Sequence, residues 1–145
     1  WTPGRRDKGT FAFWSDEKNR QAALGAFSGK MLPWDFCEAF SEFMGIHDVD
    51  EQWADPPRFD FGHLRELYHV TGHAFPFSYR DERDLRTLKK LAIRMHPSLD
   101  EELKAIVASL AHDPLEDAMQ QMREHQLIMR AFGLSLDEAA RRVGS

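Results

Sequence analysis

The chain has few cysteines, no long apolar run and no leader-like start, and these absences exclude several classes of protein. A single cysteine, Cys37, excludes an internal disulfide framework and suits a reducing compartment. No stretch approaches the roughly 20 apolar residues that a membrane helix needs. The first residues also lack the apolar core of a signal peptide. The sequence therefore predicts a cytoplasmic protein with no membrane partner.

Short catalytic motifs are also absent. The chain contains no Gly-x-Ser-x-Gly, no Gly-rich phosphate-binding loop and no His-Glu-x-x-His zinc motif. Cys37 lies on the apolar side of a predicted helix, where burial makes a thiol unreactive. These absences favour a protein that is not an enzyme and that needs no cofactor.

Apolar residues are plentiful and are spaced as they are in helices. Of the 145 residues, 42% are hydrophobic, with 11 Phe and 4 Trp, which is enough for one core. Helix-start patterns occur at Ser98…Glu101, Asp113…Glu116 and Ser135…Glu138. We predict a mostly α fold, a single-domain bundle of about six helices with one or two short extended aromatic segments. Its predicted parts are a flexible basic arm 1–9 and a single helical domain 10–145, which includes an acidic loop 46–60 and a C-terminal helical subregion 81–145.

Charge is distributed unevenly, although the net charge is only −5. Residues 31–60 hold one basic and eight acidic residues, a net charge of −7. Trp53 lies in this acidic stretch, close to Asp50, Glu51 and Asp55. An aromatic anchor with a charged rim is typical of a binding hot spot, although a tryptophan there equally suits packing on the core. Our leading hypothesis is a small cytoplasmic non-enzymatic interaction or regulatory protein that binds a basic protein partner through these four residues.

Two features favour nucleic acid as the partner instead. The predicted helix at 83–94 is basic, and residues 134–144 resemble the first helix and turn of bacterial helix-turn-helix domains. The DNA-reading helix of such a motif would have to follow residue 144. The first alternative is therefore a nucleic-acid-binding regulator, with DNA as one target. Its candidate contacts are Arg83, Arg86, Lys89, Lys90, Arg94, Arg141 and Arg142.

A histidine cluster suggests a third hypothesis. His63, Glu66, His69 and His73 would share one side of a helix if that helix ran unbroken to residue 73. Imidazole and carboxylate groups one turn apart can bind Zn or Fe. Surface or capping histidines explain the same pattern without a metal. The second alternative is thus a metal-dependent enzyme, and the sequence leaves the oligomeric state open.

Overall fold

A computed structural model describes residues 12, 15–20, 24–25, 28–47, 49–106 and 113–134. Within these residues, the prediction of a mostly α fold is confirmed, with five α-helices and one small sheet. A 3-10 helix, Glu17–Asn19, precedes them. The elements that follow are α1 (Pro33–His47), β1 (Gln52–Ala54), α2 (Pro57–Thr71), β2 (Glu82–Asp84), α3 (Leu85–Met95), α4 (Leu99–Ala105) and α5 (Pro114–Ala131).

The two strands pair in parallel, and α2 makes the connection between them. Gln52 pairs with Glu82, Trp53 with Arg83 and Ala54 with Asp84. The prediction that residues 46–60 form an acidic loop is therefore wrong. These residues contain the end of α1, the whole of β1 and the start of α2. Parallel pairing joins residues about 30 positions apart, so no local pattern in the sequence marks this strand.

Helices α3, α4 and α5 surround the main core. The buried residues of this core are Leu85, Ala92, Leu99, Leu103 and Ile128. Helices α3 and α5 each begin after a capping aspartate. The Asp84 carboxylate accepts a hydrogen bond from the Thr87 backbone N–H (3.2 Å), and Asp113 caps α5 through the N–H groups of Leu115 (3.0 Å) and Glu116 (3.1 Å).

The starts and ends of the last two helices test the predicted caps. Asp113 confirms the predicted start of α5, and Gly133 follows its end with a positive φ of 70°. Ser98 precedes α4 but makes no side-chain capping bond. The third predicted cap, Ser135…Glu138, lies outside the described residues.

A second cluster joins α1 to α2 around Tyr68, which is 1% exposed. Its hydroxyl donates a hydrogen bond to the Cys37 carbonyl (2.8 Å) and lies 2.9 Å from the Ser41 hydroxyl. Cys37 is fully buried, as the apolar spacing of α1 predicts. In the described part of the chain, no helix has the length and apolar character required to cross a bilayer.

Replacing Tyr68 by Phe is expected to destabilise the fold by about 1–3 kcal/mol. The substitution keeps the ring but leaves the buried Cys37 carbonyl without the hydroxyl donor. Urea unfolding of the two proteins would measure the difference. Tyr79→Phe is the matched control because Tyr79 is 70% exposed. Equal stability of Tyr68→Phe and the wild-type protein would contradict this expectation.

Candidate functional site

Acidic residues gather at the carboxyl edge of the parallel strand pair. Asp55 directly follows β1, and Asp84 is the last residue of β2. Because parallel strands end at the same edge, the topology brings these positions together. Helices α2 and α3 also begin here, and the carboxyl ends of parallel strands commonly bind ligands. This edge is therefore the first place to look for a functional site.

Asp55 is the centre of a network of four charged side chains. It pairs with Arg86 Nε (2.8 Å) and with Lys89 Nζ (2.5 Å). Lys89 also pairs with Glu124 Oε2 (2.9 Å) on α5. The side chains of Lys89, Asp55 and Glu124 are 24%, 12% and 6% exposed, so these pairs are largely shielded from water. The network ties the end of β1 to α3 and α5.

The pKa values of the pair Asp55 and Lys89 reflect this arrangement. Burial by itself would raise the pKa of Asp55, but the hydrogen bonds and charges of Lys89 and Arg86 outweigh it and lower the pKa. Burial likewise opposes the charged form of Lys89, and its two carboxylate partners nevertheless raise its pKa. Both groups are therefore held in their charged forms at neutral pH.

Asp60, in the first turn of α2, lies beside Asp55. Burial raises the pKa of Asp60, and the negative charge of Asp55 raises it further. Two neighbouring carboxylates with pKa values shifted in opposite directions are a frequent feature of functional sites.

The charge network forms one wall of a cleft of about 210 Å³. The cleft is lined by Asp55, Arg86, Lys89, Asp117, Gln120, Gln121 and Glu124. Asp117, in the first turn of α5, makes no ion pair with any cation in the described ranges. The cleft thus combines cations that can bind an anion with one carboxylate, Asp117, that pairs with no cation of the described chain.

The four residues predicted to bind a protein partner do not form one exposed surface. Trp53 is half-buried in β1 and packs against the main core. Asp55 is held inside the charge network. Glu51 accepts from Trp53 Nε1 (3.2 Å) and pairs with Arg83 (3.0 Å), whereas Asp50 is exposed.

An apolar pocket of about 210 Å³ adjoins the cleft through the shared residue Gln121. The rings of Trp53 and His125 lie 4.5 Å apart in its wall. Burial lowers the pKa of His125, and the charge of Glu51 offsets this shift only in part. The Nε2 atom of His125 is buried and has no hydrogen-bond partner among the described residues. The fold therefore favours the neutral ring.

His125 is expected to make the fold less stable as the pH falls from about 6.5, the unperturbed histidine value. The unfolded chain binds a proton in this range, whereas the folded chain resists doing so until its lower pKa is reached. His125→Phe keeps an aromatic ring and removes the titration. In urea unfolding, we expect the free energy of unfolding of His125→Phe to increase relative to that of the wild type as the pH is lowered from 7.5 to 5.5. A constant difference would contradict the lowered pKa.

The predicted metal cluster does not assemble. Helix α2 ends at Thr71 and Gly72 adopts a positive φ of 74°, so His73 leaves the helix. The His63 ring packs 4.5 Å from the ring of Phe59. Among the residues that the structure describes, no three His, Cys, Asp or Glu side chains form a group that could hold a metal ion. The hypothesis of a Zn or Fe site at His63, Glu66, His69 and His73 is therefore not supported by the geometry.

The predicted basic residues separate into two groups. Arg83, Arg86 and Lys89 are each bound to carboxylates. Lys90 and Arg94 are exposed on α3. Arg141 and Arg142 lie outside the described residues. So does the segment that resembles the start of a helix-turn-helix, apart from its first residue, Leu134. Sequence reasoning missed Asp60, Asp117 and Glu124 as members of the site. Asp60 and Asp117 each lie in the first turn of a helix, which is a weak signal, and no pattern in the sequence marks Glu124.

Comparison with known proteins gives one match. A family model described as "3'-5' exoribonuclease Rv2179c-like domain" matches residues 2–129. Comparisons with curated proteins and with solved structures found no match.

This match overturns the leading functional hypothesis. A non-enzymatic interaction or regulatory protein is the wrong interpretation, because the matching family is described by an enzymatic activity on RNA. No finding supports a protein partner. The matched residues make up well over half of the chain. The chain therefore belongs to the family of Rv2179c-like 3'-5' exoribonuclease domains.

Proposed function

We propose that this chain takes part in the hydrolysis of RNA from its 3′ end. The observation that carries the proposal is the family match over residues 2–129. The cleft at the carboxyl edge of the strands supports it, because this cleft is polar and contains both cations and carboxylates. The charge network and Asp117 are the residues that we assign to this activity.

The cations of the cleft have donors left for a phosphate group. Arg86 uses Nε–H for Asp55, and its two terminal NH₂ groups make no hydrogen bond within the described residues. Lys89 uses two of its three donors, one for Asp55 and one for Glu124. Because Asp55 and Glu124 already fix these side chains, a phosphate would bind to cations whose positions are set beforehand.

Asp117 supplies a different chemical capability. A carboxylate beside a bound phosphodiester can orient an attacking water molecule and accept its proton. The carboxylates of Asp55 and Glu124 are less suited to this task, since each of them is already paired with Lys89 and Asp55 also with Arg86. Phosphoryl transfer depends mainly on positioning and charge stabilisation, and the cleft offers groups for both.

Many phosphodiester hydrolases also use divalent cations. The described residues do not bring three metal-binding side chains together, so we assign no step to a metal. An assay must nevertheless supply Mg²⁺ or Mn²⁺, and a parallel reaction with chelator would test whether the cation matters.

The test is hydrolysis of unstructured RNA labelled at its 5′ end. We expect a ladder of labelled products that shorten from the 3′ end with time. The same RNA labelled at its 3′ end should release labelled mononucleotide from the earliest time points. Internal cleavage, or no cleavage with either cation, would contradict the proposal. A DNA strand of the same sequence would show whether the 2′-hydroxyl is required.

A further inference from the structure

Three cations on α3 are spaced four residues apart. Arg86, Lys90 and Arg94 therefore lie on the same side of the helix, separated by about 6 Å per step because an α-helix rises 1.5 Å per residue. Successive phosphates of an extended nucleic-acid strand are separated by a similar length. The row begins at the cleft, because Arg86 lines it, and continues away from it along α3.

The members of this row differ in their local partners. Arg86 is held by Asp55, whereas Lys90 and Arg94 are exposed and make no ion pair within the described part of the chain. Lys104 on α4 is different again, because it pairs with Asp100 (2.7 Å) and Glu101 (3.0 Å). A phosphate can bind Lys90 or Arg94 without breaking an existing pair, and it can bind Arg86 through the terminal NH₂ groups that make no hydrogen bond within the described residues.

A groove connects Lys90 to the cleft. It has a volume of about 410 Å³ and lies between α3, α4 and α5. It shares Arg86, Lys89, Gln120 and Glu124 with the cleft, and it adds Lys90 and Lys104. A strand with its 3′ end in the cleft can therefore extend along this groove to Lys90, and Arg94 lies about one helical turn beyond Lys90 on the same side of α3.

We propose that Lys90 and Arg94 bind the backbone phosphates of the RNA strand upstream of its 3′ end. The inference rests on the proposed function for the assignment of the cleft to the 3′ end. It identifies the preferred substrate as a single strand several nucleotides long, because a dinucleotide would not reach Lys90 and Arg94. Contacts to phosphates alone also predict little dependence on base sequence.

Binding of a fluorescent ten-nucleotide oligouridine in the presence of chelator, which prevents metal-dependent turnover, tests this directly. Lys90→Ala combined with Arg94→Ala should make the slope of log affinity against log salt shallower by about 1.4, or about 0.7 for each phosphate contact. Between roughly 50 and 200 mM salt, the affinity of the double variant should therefore fall by a factor about sevenfold smaller than the factor by which the wild-type affinity falls. Lys104→Ala is the matched control, since Lys104 lines the same groove but is already neutralised.

Kinetics provide the second measurement. The double variant should raise KM for the ten-nucleotide RNA severalfold, leave kcat unchanged and leave hydrolysis of a dinucleotide unchanged. An equal effect of Lys104→Ala on the salt slope, or an unchanged slope in the double variant, would overturn the inference. Absence of RNA binding by the wild-type chain would also overturn it. Salt-dependent binding through Lys90 and Arg94 without any hydrolysis would preserve the inference and refute the proposed function instead.

Discussion

Replacing Asp117 by Asn is expected to lower the rate of RNA hydrolysis by about 10²–10⁴-fold. The substitution keeps the size and shape of the side chain but removes the negative charge and most of its basicity. Asp117 lines the cleft and has no cation partner among the described residues, so its charge remains available to act on substrate or water. The loss should appear in kcat, because a group that accepts a proton acts in the transition state.

The neighbouring residue gives a matched control. Glu116 occupies the same first turn of α5 but does not line the cleft. Both substitutions remove one negative charge from a helix N-terminus, which costs about 0.3–1 kcal/mol of stability. Glu116→Gln should therefore match Asp117→Asn in stability and retain near-normal activity.

The same comparison could refute the assignment. If Glu116→Gln and Asp117→Asn lose activity equally, the effect comes from the charge of the helix end and not from a group in the cleft. If Asp117→Asn keeps full activity, Asp117 has no part in the reaction and the cleft itself is placed in doubt.

Features that depend on neighbouring residues could be predicted from the sequence. Asp113 and Pro114 begin α5, and Gly133 follows its end, because caps and turns are decided within a few positions. Asp84 begins α3 for the same reason. The apolar spacing of α1 also placed Cys37 in the core.

The strand pair could not be predicted in this way. Strand β1 is only three residues long, and its partner β2 is about 30 residues away along the chain. With residues 46–60 predicted as a loop, Asp55 is expected to contact a protein partner. Its position at the carboxyl edge of parallel strands becomes evident only when the pairing is known.

Two acids of the acidic stretch find their basic partners within the chain itself. Glu51 pairs with Arg83, and Asp55 pairs with Arg86 and Lys89, which follow 31 and 34 positions later. Charge segregation along this sequence therefore reports internal ion pairs as readily as it reports an external partner. The enzymatic activity that describes the family was missed because the sequence contains none of the short catalytic motifs considered above.

Replacing Lys89 by Met is expected to destabilise the fold by about 3–5 kcal/mol. Lys89 is the cation shared by Asp55 and Glu124, and neither carboxylate is more than 12% exposed. Methionine fills a similar volume but leaves Glu124 without a cation partner among the described residues. The cost is therefore that of an uncompensated buried charge, which is larger than the net contribution of the ion pair itself.

The pH dependence distinguishes this cause from simple loss of packing. Burial raises the pKa of Asp55 and Lys89 is the first of the two cations that lower it, so Lys89→Met should raise the pKa of Asp55 in the folded state. A carboxylate with a lowered pKa stabilises the fold above its unfolded value and loses that contribution as the pH falls, so the wild type should lose more stability than the variant. The stability gap between Lys89→Met and the wild type should therefore narrow as the pH is lowered from 7 towards about 4, the ordinary carboxyl range.

A second substitution tests the same cause at fixed pH. Adding Glu124→Gln to Lys89→Met removes the unpaired charge while keeping the hydrogen bond that Gln120 Nε2 donates to Oε1 of residue 124 (2.9 Å). The double variant should recover much of the lost free energy of unfolding at pH 7. If Lys89→Met alone costs less than about 1 kcal/mol, the network is as weak as a surface ion pair and water enters it freely. If the double variant is no more stable than Lys89→Met, the loss of stability comes from the missing aliphatic contacts of Lys89 and not from the unpaired carboxylate of Glu124.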